Sequence, residues 1–177
     1  MGYTPAFNAT FSKPLLNQLI AVIQRDQAAA LAIVNSSLSP ISEFHKGPGA
    51  RTSFPWLMVT ANTTAFDAQT TGTRRSVTKA QLALDVGQYD QEFAQDNGQD
   101  YARMLDMVVT TASLADWTAP LAITLETVPG GTTTPPQAAA VKDVFVASHA
   151  YDVVTVPEVE LPVLRVTITV VFDMEET

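Results

Sequence analysis

Residues 80–89 read Ala-Gln-Leu-Ala-Leu-Asp-Val-Gly-Gln-Tyr. Ala80, Leu82, Leu84 and Val86 fall on one side of an extended chain, while Gln81, Ala83, Asp85 and Gln88 are polar or small. This period-two alternation predicts a half-buried strand. The segment Tyr89–Ala115 follows directly, acidic and polar at first, then apolar at helical spacing. A strand that runs into a long helix must let the helix fold back over its apolar face, and that is the core of a layered α+β domain. A second alternating stretch closes the chain. Leu164, Val166, Ile168, Val170 and Phe172 point one way, and Arg165, Thr167, Thr169 and Val171 point the other. The expected architecture is therefore a single α+β domain over 1–177, with a mostly antiparallel β-sheet packed against two long α-helices.

The remaining elements follow in order. Residues 1–12 form an irregular arm with Phe7 and Phe11 as anchors. Ser12-Lys13-Pro14 opens a helix, because Ser caps and Pro suits the first turn. Leu15, Leu16, Leu19, Ile20, Val22, Ile23, Ala28, Leu31 and Val34 continue its apolar stripe, and Gln24, Arg25, Asp26 and Gln27 form its wet face. Leu38–Ser53 is a connector, rich in turn chemistry at His45–Arg51. Phe54–Thr60 reads as the first strand, with Pro55 at its entry. The polar, Thr-rich segment 61–78 is expected as a long loop joining two antiparallel strands, either as a hairpin tip or as extended strand ends. The second helix is placed at Asp90–Ala115, with Asp90, Glu92 and Asp96 at its positive end, Gly98 as a weak point, and Asp100 and Arg103 spaced to pair. Leu121–Leu125 and Val141–Val154 are further strand candidates. Pro129–Pro136 is a second long loop, and Met174–Thr177 a short acidic tail.

Composition excludes several functions. The net charge is −8, so non-specific attraction to nucleic acid is not expected. There is no cysteine, which removes disulfides, thiol catalysis and cysteine metal sites. No signal peptide, myristoylation pattern or membrane span is read in the chain. Charged residues make up 16%, against roughly 25% in ordinary soluble domains. Such a surface suits burial against other subunits, or simple coverage by Thr, Ser, Gln and Asn.

No catalytic constellation emerges, and no cofactor is expected. His45 and His149 could share a metal only if the fold brought them together. Asp85 with Asp90, or Asp96 with Asp100, could be drawn as acid/base pairs, but solvated helix-start charges describe them better. Trp56 and Trp117 read as core residues. Arg74-Arg75, the one basic doublet, is the candidate loop for subunit or partner contact.

The order of elements carries a resemblance. A long helix precedes the aromatic-Pro strand entry Phe54-Pro55-Trp56, then comes the basic pair Arg74-Arg75. The alternating strand Ala80–Tyr89 leads into a helix with an acidic start containing Tyr101-Ala102-Arg103-Met104-Leu105, and Leu164–Phe172 ends the fold. This pattern, over roughly residues 13–172, resembles the tail terminator (tail-completion) proteins of tailed bacteriophages and the related neck and tail-tube joining proteins. The resemblance implies a hexameric ring in the virion, assembled in the host cytoplasm, at the head-proximal end of the tail tube. The partners it implies are further copies of the chain, the tail tube protein and neck or connector proteins, with genomic DNA passing through without specific binding and no membrane. Two alternatives stay open here. One is another neck, head-completion, tail-tube or capsid-decorating protein. The other is a small hydrolase using scattered carboxylates, whose mark would be a pocket holding Asp or Glu with a raised pKa.

Overall fold

The structure, a computed structural model, describes residues 12–70, 73–88, 93–118, 122–123, 137–157 and 162–176. Residues 1–11 of the arm expected at 1–12, the start of the second helix at 90–92 and the 129–136 loop lie outside these residues.

Helix α1 spans Ser12–Val34 and buries Leu15, Leu16, Leu19, Val22, Ile23, Ala30 and Leu31. Helix α2 spans Ala94–Thr111 and buries Tyr101, Ala102, Met104, Leu105, Val108 and Val109. A five-residue α3, Leu114–Thr118, follows. The strands are β1 (Glu43–His45), β2 (Trp56–Thr70), β3 (Thr73–Gln88), β4 (Ala122–Ile123), β5 (Gln137–Val154) and β6 (Val163–Glu176). They form one sheet in the order β1-β2-β3-β6-β5-β4. Strand β1 runs parallel to β2, which makes the sheet mixed, and the other pairings are antiparallel.

Both long helices lie on one face of the sheet. Their apolar stripes share a core with Leu57 and Val59 of β2, Ala80, Leu82 and Leu84 of β3, and Val166, Ile168, Val170 and Phe172 of β6. The two alternating stretches thus bury the sides the pattern indicates, as neighbouring central strands paired Leu82↔Ile168 and Leu84↔Val166.

Five expectations are corrected. First, of the two forms left open for 61–78, the long loop is not the one adopted: β2 continues to Thr70 and β3 starts at Thr73, so the polar residues are extended strand ends. Threonine is as compatible with strand as with loop, and here the ladder of backbone hydrogen bonds decides. Second, the helix placed at 90–115 stops at Thr111. Ser113 and Asp116 exchange hydrogen bonds, Ser113 N donating to Asp116 Oδ2 (3.1 Å) and Asp116 N to Ser113 Oγ (3.2 Å). This reciprocal cap starts α3 in a new direction. Third, the acidic tail is the end of β6, where Met174 and Glu176 are buried. Fourth, Gln27 is not on the wet face. It is buried, donates to Ile41 O (3.1 Å) and accepts from Ile41 N (2.7 Å), and so fastens the connector to α1. Fifth, Asp100 accepts a hydrogen bond from Asn35 Nδ2 at 2.8 Å, where a pairing with Arg103 was expected.

Gly98 has a packing reason. A β-carbon there would lie 2.7 Å from Leu164 Cδ2 and 3.3 Å from Val166 Cγ2, so glycine lets α2 approach β6 closely. Its helix-weakening character is offset by that contact.

Candidate functional site

The most strongly organised polar cluster sits on the sheet face away from the helices. One register row places Trp56, Asp85, Arg165 and Asp152 side by side on β2, β3, β6 and β5. The Asp85 side chain is fully buried. It accepts from Arg165 Nε at 2.6 Å and Arg165 Nη2 at 2.9 Å, and from Arg51 Nε of the connector at 2.6 Å. Arg51 also lies 4.4 Å over the Trp56 ring, and His45 stacks on the same indole at 4.9 Å. The register slips just beyond Asp85, at Gly87, whose φ of +151° favours glycine. The hydrogen bond to Asp85 raises the Arg165 pKa.

Three hydrogen bonds from two guanidinium groups engage both oxygens of this carboxylate within the fold. The cluster pins the connector to the sheet. Glu43 completes the pin: its carboxylate accepts from Ser53 Oγ at 2.6 Å and from Thr52 Oγ1, with His45 Nε2 at 3.4 Å. The Ser53 hydroxyl, followed by that of Thr52, pulls the Glu43 pKa down from 4.5 to about 2. Its folded value lies below its ordinary value, so its contribution to stability is present above pH 4.5 and is lost as the pH falls toward 2. NMR titration of the Glu43 carboxyl is expected to give a value of about 2, moving up toward 4.5 in Ser53→Ala. An ordinary value in the unsubstituted chain would show that the hydroxyls do not hold it.

A second cluster lies at the other end of the central strands. Arg74 and Arg75, expected on a loop, are on β3. Arg74 donates through Nε to Glu176 Oε2 at 2.9 Å and through Nη2 to the same oxygen, and Ser76 donates to Glu176 Oε1. The Arg74 guanidinium also lies 4.0 Å over the Phe66 ring. Arg75 grips Asp173 with two hydrogen bonds of 2.9 and 2.6 Å, holding that carboxyl below its usual range. Lys142 pairs with Glu175 at 3.1 Å. Arg74, Arg75, Lys142, Asp173 and Glu175 border a depression of about 440 Å³. A smaller groove of about 320 Å³ between α1 and α2 is lined by Ala29, Ile33, Met107 and Thr111.

Other expected candidates separate. His45 on β1 and His149 on β5 stand on strands with β2, β3 and β6 between them, so the fold does not bring them to one metal. Among the described residues no group of three or more His, Cys, Asp or Glu could hold a metal ion. Asp85 is buried and paired, not a solvated helix-start charge, and Asp90 lies outside the described residues. Trp56 and Trp117 are fully buried, Trp117 edge-on to Phe172 at 5.4 Å. No helix among the described residues is long and apolar enough to cross a membrane. The double-arginine clamp was missed by sequence reasoning. Its one sequence signal was a carboxylate, Asp85, inside the otherwise uncharged stretch 80–89.

Comparison of the chain with known protein families and with curated proteins finds no match.

Proposed function

We propose that this chain is a structural virion protein of a tailed bacteriophage, not an enzyme. In this reading it forms a hexameric ring at the head-proximal end of the tail tube, ends the tube, and joins it to the neck around a channel for DNA. The observation that carries the reading is the sheet's reach beyond its helical layer. Residues Ala61–Phe66 of β2 and Ala147–Val153 of β5 are exposed at every position, on both sides of the pleat. In a chain complete by itself, alternate positions of a strand find cover. Strands bare on both faces, in a chain with 16% charged residues, are suited to cover by other subunits. The net charge of −8 suits a channel that DNA must traverse without adhering.

The test is the mass of the purified protein by light scattering, with negative-stain images of the same sample, alone and with tail tubes of the parent phage. The expected result is a six-subunit ring with a central hole, or a monomer that becomes such a ring on the tube end. A monomer that stays monomeric at high concentration and ignores the tubes overturns the proposal.

A further inference from the structure

We propose that neighbouring copies join by strand pairing, the outer edge of β5 in one copy over Ser148–Val153 running antiparallel to the outer edge of β2 in the next over Ala61–Phe66. The proposal deepens the ring reading and rests on it for closure, while the edge contact is tested separately.

Among the described residues the sheet ends in two long unpaired edges. Strand β1 pairs with β2 over Trp56–Met58, and β4 pairs with β5 over Gln137–Ala138. Among the described residues, no strand pairs with the outer side of β2 beyond Met58 or of β5 beyond Ala138. An unpaired row of backbone N–H and C=O groups is a template for another strand. Isolated edges are commonly guarded by lysine or proline. Ala-Asn-Thr-Thr-Ala-Phe and Ser-His-Ala-Tyr-Asp-Val contain neither, and Asp152 is their one formal charge apart from His149. Both segments expose apolar groups: Phe66 at 53%, Tyr151 at 37% and Val153 at 52%.

Strand direction selects the partner. Strands β2, β3, β6 and β5 alternate in direction, so the two outer long strands run opposite ways. Copies related by rotation about one axis therefore bring β5 beside the next β2 in antiparallel sense, and the alternation continues across the joint. This is a heterologous contact, the kind that closes rings.

The register gives the joint a stagger. Residues Ala61–Phe66 lie opposite Ala80–Ser76 of β3, in line with Val170–Met174 of β6, whereas Ser148–Val153 lie opposite Thr169–Leu164. The two bare segments thus occupy diagonal corners of the sheet. Joining them displaces each copy along the strands relative to the last, and such a displacement tilts strands against the axis, as closure of a sheet requires. A register shift lies at the inner limit of each segment, between Ala61 and Thr63 in β2 and between Val146 and Ser148 in β5. Bulges there add the local bend and twist that a curved sheet needs.

The chain has no cysteine, so introduced thiols report contacts cleanly. Ala65 and Ala150 are exposed and, by register with Val77 and Thr167, share the face away from the helices. The experiment treats Ala65→Cys/Ala150→Cys, and each single variant, with a short bis-maleimide that spans diagonal as well as direct cross-strand neighbours. Mass is measured on the same samples before cross-linking. The expected result is a covalent ladder up to the ring size for the double variant and none for either single variant. A ring mass without a ladder overturns the edge pairing and leaves the ring reading standing. Dimers from Ala150→Cys alone also overturn it, since they require β5 to meet β5. A ladder of open-ended length without a ring mass supports the edge pairing and removes the ring. No multimer by either measure, with tail tubes present as well as without them, removes both.

Discussion

Replacing Asp85 by alanine is expected to cost about 3–5 kcal/mol of folding stability, the range for breaking a buried ion pair from one side. Asp85 has no exposed surface, and two guanidinium groups converge on it from Arg51 and Arg165. Without the carboxylate, two cations remain close together with little water to screen them. Against a total of about 5–15 kcal/mol for a domain, that loss is large. Urea unfolding monitored by circular dichroism measures it. A second consequence is local: Arg51 is the connector's hold on the sheet, so trypsin should cut faster after Lys46 and Arg51 in the native state of the variant. Replacing all three side chains together, Arg51→Met, Asp85→Leu and Arg165→Met, should recover most of the stability, because apolar groups of similar size often substitute for a buried ionic cluster. A loss below about 1 kcal/mol for Asp85→Ala, in the range of an exposed pair, would show that the carboxylate does not anchor the connector.

Phe172→Ala is expected to cost a similar amount, about 3–5 kcal/mol, by a different mechanism. Phe172 is fully buried on β6 and meets Trp117 of α3 edge-on at 5.4 Å with an interplanar angle of 70°. Truncation removes the ring's transfer energy, leaves a cavity, and takes away the aromatic contact that seats α3. For a chain of this size the melting temperature should fall by roughly 6–20 °C. The two variants are separable. Phe172→Ala should leave tryptic cutting after Lys46 and Arg51 close to that of the parent chain, since the connector is held at the opposite sheet face. It should also change Trp117 fluorescence, which Asp85→Ala should not. A melting temperature within about 2 °C of the parent, equivalent to less than about 1 kcal/mol, would mean the core closes over the missing ring.

The clamp and the core differ in how far a sequence reader can see them. Alternation at Ala80–Val86 and Leu164–Phe172 places both central strands and their buried sides correctly, because one covered face imposes a period of two on any sequence that satisfies it. The helical stripes at Leu15–Leu31 and Tyr101–Val109 are legible for the same reason at their own period. The strand ends within 61–78 have no apolar alternation to read, since Ala61–Phe66 are exposed at every position and the buried positions Ser76 and Thr78 are polar, so the sequence leaves open whether they extend or loop. Arg74 and Arg75 look like a loop doublet for a partner, but their nearest carboxylates, Glu176 and Asp173, are about a hundred positions away and meet them only through β3–β6 pairing.

The elements with a periodic apolar side, their order, and so the α+β layering are written in the chain itself. Which polar groups meet is set by the assembled fold: Asp85 with Arg51 and Arg165, Gln27 with the backbone of Ile41, Glu176 with Arg74 and Ser76. The difference is one of range. Burial writes a local, repeating pattern into each strand and helix, whereas a hydrogen bond or ion pair requires two particular residues at about 3 Å, and the register between distant strands sets that distance.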